Sequence, residues 1–147
     1  MFTPDQERAA AELRRVCRRG GRIGLANWTP TGFIGQLFKV LGGYVVPPAG
    51  VKSPALWGTE ARLAELFPGA TVRATRRDFV FRYRSARHFI EVFRTYYGPV
   101  QKAFIAVGPE REATLEADLL ALLERHNRSG DERLVAPSEY LEAVITV

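Results

Sequence analysis

The chain predicts an α/β domain, and three observations carry that prediction. Ala9, Ala10, Leu13, Val16 and Cys17 recur at three- and four-residue steps, which is the stripe of an amphipathic helix. Gly20-Gly21 ends that pattern, and the apolar run from Ile23 to Trp28 follows as a buried strand. Two further strand-like stretches, 70–83 and 140–147, are separated by segments with helical spacing. A length of 147 residues, with 46% hydrophobic and 25% charged residues, is one domain's worth of ordinary globular chain.

Taken in order, Thr3 with Pro4 and Gln6 reads as an N-cap, a first-turn proline and a capping-box partner, worth ~1 kcal/mol if the cap forms. Glu7, Arg8, Glu12, Arg14 and Arg15 form the solvated face of this first helix. After the first strand, glycines and prolines break up the segment 30–56, leaving room for one short helix through Phe33, Ile34, Leu37, Phe38 and Leu41. Gly58-Thr59-Glu60 opens the next helix, with Leu63, Leu66 and Phe67 inward, and Pro68-Gly69 stops it. In the strand that follows, Val72 and Ala74 share one parity while Phe79, Phe81 and Tyr83 share the other. Side chains alternate strictly along a strand, so a bulge or bend is expected between Thr75 and Asp78. Ser85 caps a helix through Phe89, Ile90, Val92 and Phe93, and Gly98-Pro99 breaks it. A short helix runs from Val100 to Ile105, and Gly108-Pro109 begins a long one through Leu115, Leu119, Leu122 and Leu123. The last strand is expected over 140–147. No repeat and no low-complexity linker divides the chain.

The stretch ELRRVCRRGGRIGLANWTPTGFIG resembles the segment that enters and leaves the fifth strand of class I S-adenosylmethionine-dependent methyltransferases, with Arg19 where that family's turn commonly has proline. PDQERAAAEL before it, and WGTEARLAELF and SEYLEAVITV after it, resemble their counterparts in small-molecule members. The resemblance covers the whole chain but only the second half of the family's domain. It implies a partial Rossmann-like sheet made of strands 5, 7 and 6 of the family order 3-2-1-4-5-7-6, with helical lid insertions at about 30–56 and 84–137, in a single domain over 1–147. In the family, the cofactor S-adenosylmethionine is held by a glycine-rich turn after the first strand and an acidic residue ending the second. Neither feature is present here, so this chain alone is expected not to bind the cofactor. The partners implied are a missing N-terminal half, or a second copy meeting the strand Arg22 to Trp28, together with a small-molecule acceptor.

Methyl transfer from a sulfonium is an in-line displacement on a reactant that carries its own leaving group, so positioning suffices and no protein nucleophile is required. Ligands of open α/β sheets sit outside the carboxyl ends of parallel strands. That rule, applied to the implied topology, nominates Trp28, Phe33, Phe38, Tyr96 and Tyr97 as acceptor contacts, Trp28 and Tyr96 first. His88 and His126 are the two histidines; they fall on different helices and read as ordinary side chains. With Cys17 the single cysteine, neither a disulfide nor a metal site is expected, and a reducing compartment, the cytoplasm, fits.

Two other readings compete. One is a non-catalytic module whose aromatic-rich lid binds a ligand or a protein. The other is a nucleic-acid binder, suggested by the net charge of +5. Against the latter, Lys39, Lys52 and Lys102 are the only lysines among 21 basic residues, and the arginines are scattered over every segment. No apolar run reaches ~18 residues, and the N-terminus opens with Phe2, Thr3, Pro4 and Asp5, so neither a membrane span nor an export signal is expected.

Overall fold

Residues 1–147 are described by a computed structural model, in which the first helix, α1 (Gln6–Val16), is capped by Asp5 and not by Thr3. The Asp5 carboxylate accepts from the Arg8 N–H at 2.8 Å. A carboxylate adds a favourable charge at the positive end of the helix, which a hydroxyl does not. Thr3 instead donates to the Asp5 carbonyl at 3.1 Å. The remaining caps follow their sequence signals. Thr59 caps α3 (Glu60–Leu66) through Arg62 N–H, and Ser85 caps α4 (Ala86–Tyr96) through His88 N–H.

α2 (Phe33–Gly42) is the one α-helix between α1 and α3, joined by a short 3-10 turn at Pro54–Gly58. The last helix, α5 (Gly98–His126), contains the break expected at Gly108-Pro109. Gly108 there has φ 67° and ψ 175°, outside the helical region and accessible to glycine without the Cβ clash that other residues suffer.

Three strands, β1 (Arg22–Trp28), β2 (Thr71–Tyr83) and β3 (Leu134–Thr146), form one antiparallel sheet in the order β1-β3-β2. β1 and β3 pair in a continuous register, from Arg22 opposite Thr146 to Trp28 opposite Tyr140. Arg76 and Arg77 of β2 meet Glu139 and Glu142 of β3 at 3.1 and 2.9 Å. β3 begins six residues before the expected start at Tyr140, passing through Pro137.

The chain divides into two compact units. One comprises residues 1–32, 48–78 and 139–147. The other comprises 33–47 and 79–138, which takes in most of the two segments expected as insertions. In the first, Ala10, Ile23, Trp57, Leu63, Leu66, Phe67, Leu141, Ala143 and Ile145 make the core. In the second, α2 and α4 pack on α5, burying Phe33, Leu37, Phe89, Phe93, Leu119 and Leu122.

The parity change read in β2 shows in its burial, but no interruption marks the bulge or bend expected between Thr75 and Asp78. Val72 and Ala74 are half-buried on one parity, Phe81 and Tyr83 on the other, and the strand is unbroken from Thr71 to Tyr83. Phe79, expected inward, is half exposed. β3 changes in the same way, from buried Leu134, Ala136 and Ser138 to buried Leu141, Ala143 and Ile145. Both changes fall where the units divide, between 78 and 79 and between 138 and 139. Alternation lets one strand supply its even residues to one core and its odd residues to another, which a change of hydrophobic phase in the sequence reports. No helix is long and apolar enough to cross a membrane.

Candidate functional site

The carboxyl end of β1 is tightly built. Thr29 is buried, and its hydroxyl oxygen accepts from Gly32 N–H at 3.1 Å while its own N–H donates to the Glu139 carbonyl at 3.2 Å. Gly32 has no room for a side chain, since a Cβ there would lie 2.7 Å from the Glu139 oxygen. Gly58 is tighter still: its Cβ would lie 2.1 Å from the Trp28 oxygen. Trp28 therefore sits where the 3-10 turn crosses the end of β1, and its ring meets Tyr140 edge-on at 6.1 Å. In the second unit Ser138 is fully buried, and its hydroxyl accepts from Ile34 N–H at 3.1 Å, in the first turn of α2. Sequence reasoning passed over Thr29 and Ser138. The Ser138 contact spans 104 residues, so no local pattern announces it.

The other four nominated aromatics lie in the second unit. Phe33 is completely buried and packs against Phe81, Phe89 and His126 at 5.4–5.8 Å between ring centroids. It is a core residue, because no face of it remains for a ligand. Phe38 is half-buried on α2. Tyr97 is half-buried against Phe93 at 4.8 Å, and burial pushes its phenol up to about 12, so it stays neutral. Tyr96 is 83% exposed and makes no ring contact with the cluster. The structure thus joins Phe33 and Tyr97 through the stacked pair Phe89 and Phe93, and leaves Tyr96 outside that cluster.

Two open pockets stand out. In the first unit, a groove of about 410 Å³ runs along β1 and α1, lined by apolar side chains that include Leu13, Val16, Leu25 and Trp57. Asn27 Nδ2 and Trp57 Nε1, both donors on residues of that lining, are buried without an acceptor. In the second unit, a pocket of about 670 Å³ is lined by Arg82, Arg84, Arg128 and Arg133, with Tyr83, His88 and Asp131 among its other walls. The arginines that look scattered in sequence are here gathered four to a site. Next to it, burial and then the charges of Arg125 and Arg128 hold the His126 imidazole below its usual pKa. No three His, Cys, Asp or Glu side chains converge as a metal set would.

None of the three strands ends on an acidic residue, and no glycine of positive φ stands between the end of a strand and the helix after it.

No family model matches the chain. An uncharacterized protein of Mycobacterium tuberculosis is 38% identical over 136 residues, which cover 88% of this chain and 50% of the relative. A second uncharacterized protein of the same organism is 37% identical over 122 residues, covering 80% and 44%. A Mycobacterium bovis protein, also uncharacterized, matches at 38% over 136 residues. The chain spans about half the length of the curated relatives it matches.

Proposed function

We propose that this chain is the acceptor-binding half of an S-adenosylmethionine-dependent methyltransferase acting on a small molecule, inactive until it meets the half that carries the cofactor site. The observation that carries the reading is the sheet order. A last strand that runs antiparallel to the first and lies between it and the second is the 5-7-6 arrangement that the sequence resemblance implies. Helix, glycine turn and strand precede it in the matching order. Relatives about twice as long as the shared stretch leave room for a cofactor-binding half.

In this reading the groove along β1 and α1 receives the missing half. The free edge of β1 offers backbone hydrogen bonds, and Asn27 and Trp57 offer two donors that lack partners. Phe38, Tyr96 and Tyr97 of the second unit keep exposed surface for an acceptor, and Trp28 of the first unit keeps some as well. A reducing cytoplasm suits the lone Cys17.

Calorimetry tests the proposal on three samples: this chain, the full-length Mycobacterium tuberculosis relative of 38% identity, and this chain mixed with the part of that relative outside the shared stretch. S-adenosylmethionine binds the second and third with a micromolar constant and the first not at all. A relative that does not bind it would remove the reading, and micromolar binding by the chain alone would remove the claim that the cofactor site lies elsewhere.

A further inference from the structure

The arginine-lined pocket of the second unit is not used by the reading above, and its chemistry stands without it. Arg82 lies at the end of β2 and Arg84 just beyond it, Arg128 and Arg133 in the turn between α5 and β3, so two separate stretches deliver four guanidinium groups to one concavity. Asp131 is the one carboxylate of the lining, and Arg133 already engages it, with Nη2 and Nε at 2.6 and 2.9 Å from Oδ2. No ion pair engages Arg82, Arg84 or Arg128. Like charges crowded in a pocket repel one another, and an anion that bridges them relieves the repulsion.

The other walls indicate what the anion is attached to. Tyr83 and His88 meet edge to face at 5.5 Å, and Leu134 and Val135 line the pocket with apolar surface. A volume of about 670 Å³ is that of a site for a small organic molecule rather than for an inorganic ion alone.

We infer that this pocket binds a small molecule in which a phosphate or carboxylate group sits on an aromatic or apolar body, the anion among Arg82, Arg84 and Arg128 and the body against Tyr83 and His88. Guanidinium groups hold either anion through paired N–H donors, and an aromatic body gains contact with the two rings.

Nuclear magnetic resonance of the ¹⁵N-labelled full chain, titrated with phenyl phosphate and separately with benzoate at physiological salt, tests this. Saturable shifts are expected at the amides of 82–84, 88 and 128–135, and the tighter of the two probes identifies the anion. The double variant R84Q/R128Q, at exposed positions, weakens that probe by at least about tenfold, while R18Q/R19Q on the other unit leaves it unchanged. Shifts that never saturate, or an equal loss in both double variants, would overturn the inference. So would an oligonucleotide that binds more tightly than phenyl phosphate and weakens steeply with salt, since that marks a nucleic-acid surface.

Discussion

Arg62 Nη2 lies 2.7 Å from Glu7 Oε1, so a side chain of α3 is tied to the first turn of α1 across 55 residues of sequence. The Arg62 side chain is only 9% exposed, and its other nitrogens are also used: Nε donates to Gln6 Oε1 at 3.0 Å and Nη1 to Glu65 at 2.9 Å. Gln6, itself buried, passes the chain of bonds on to the Ser53 carbonyl at 3.0 Å, and Lys52 adds a second cation to Glu7. A single arginine thereby satisfies the buried amide that would otherwise leave an acceptor unpaired.

Arg62→Ala should therefore destabilise the protein by about 3 kcal/mol, because it strands Gln6 Oε1 and removes two charge-assisted bonds. Arg62→Lys restores the charge but not the fork of donors, and recovers less than half of that loss. Urea unfolding followed by circular dichroism measures both. A loss under about 0.5 kcal/mol for Arg62→Ala would place the network among surface ion pairs of no consequence.

The same network sets an acid limit. Hydrogen bonds from Arg62 and then Lys52 lower the Glu7 carboxyl from 4.5 to about 2. A depressed carboxyl contributes stability that is fully present above 4.5 and is lost as pH falls towards 2. Wild type and Glu7→Gln should thus differ in urea midpoint by a constant amount at neutral pH, and the difference should shrink below pH 4.5. A gap that stays level down to pH 2 would show that Glu7 acts through packing and not through its charge.

Much of this architecture is legible in the sequence, for reasons that differ by element. Thr59 and Ser85 cap their helices because a hydroxyl three residues before a free N–H is a local device, readable within one turn. Gly108-Pro109 marks the break in α5 for the same reason. The change of phase in β2 is readable because alternation is strict, but its cause is not: it reflects two cores, and core membership depends on residues far away. Phe33 looks like an acceptor contact from topology alone, since helical spacing cannot tell an aromatic facing a cleft from one facing a core. The arginine pocket is invisible for the complementary reason, that its four guanidinium groups come from stretches over forty residues apart.

Gly58 carries a sharper prediction. A methyl group there would meet the Trp28 carbonyl oxygen at 2.1 Å and its carbon at 2.6 Å, and backbone cannot move aside as a flexible side chain can. Gly58→Ala should cost about 3 kcal/mol, at the upper end of ordinary overpacking. Gly24→Ala, where nothing lies within 4 Å, should change stability by less than about 0.5 kcal/mol or raise it slightly, since alanine restricts the unfolded chain. Thermal melts of the pair decide it, and equal effects would mean that the 3-10 turn is free to shift.

The last prediction concerns the two outer strands of the sheet, which differ in how they are protected. β2 carries Arg73, Arg76, Arg77, Asp78 and Arg82 on exposed positions, the charges by which natural edges resist pairing with other chains. β1 has only Arg22 among its seven residues, and Ile23, Leu25 and Ala26 give it the composition of an interior strand. With β3 on one side and no strand on the other, β1 is expected to pair with a second copy or with the cofactor-carrying half proposed above, and to lower solubility when neither is present. Lysine at Ile23 would test this poorly, because that side chain is buried in the core of the first unit. Gly24 and Ala26 are exposed, so the double variant G24K/A26K charges the edge and spares the core. Gel filtration with light scattering should show concentration-dependent association for the wild-type chain, weakened at least about tenfold in the variant. A wild-type monomer at high concentration, with slow exchange of the β1 amides that do not face β3, would mean that another part of the protein covers this edge and would remove β1 as the docking edge of the proposed cofactor-carrying half.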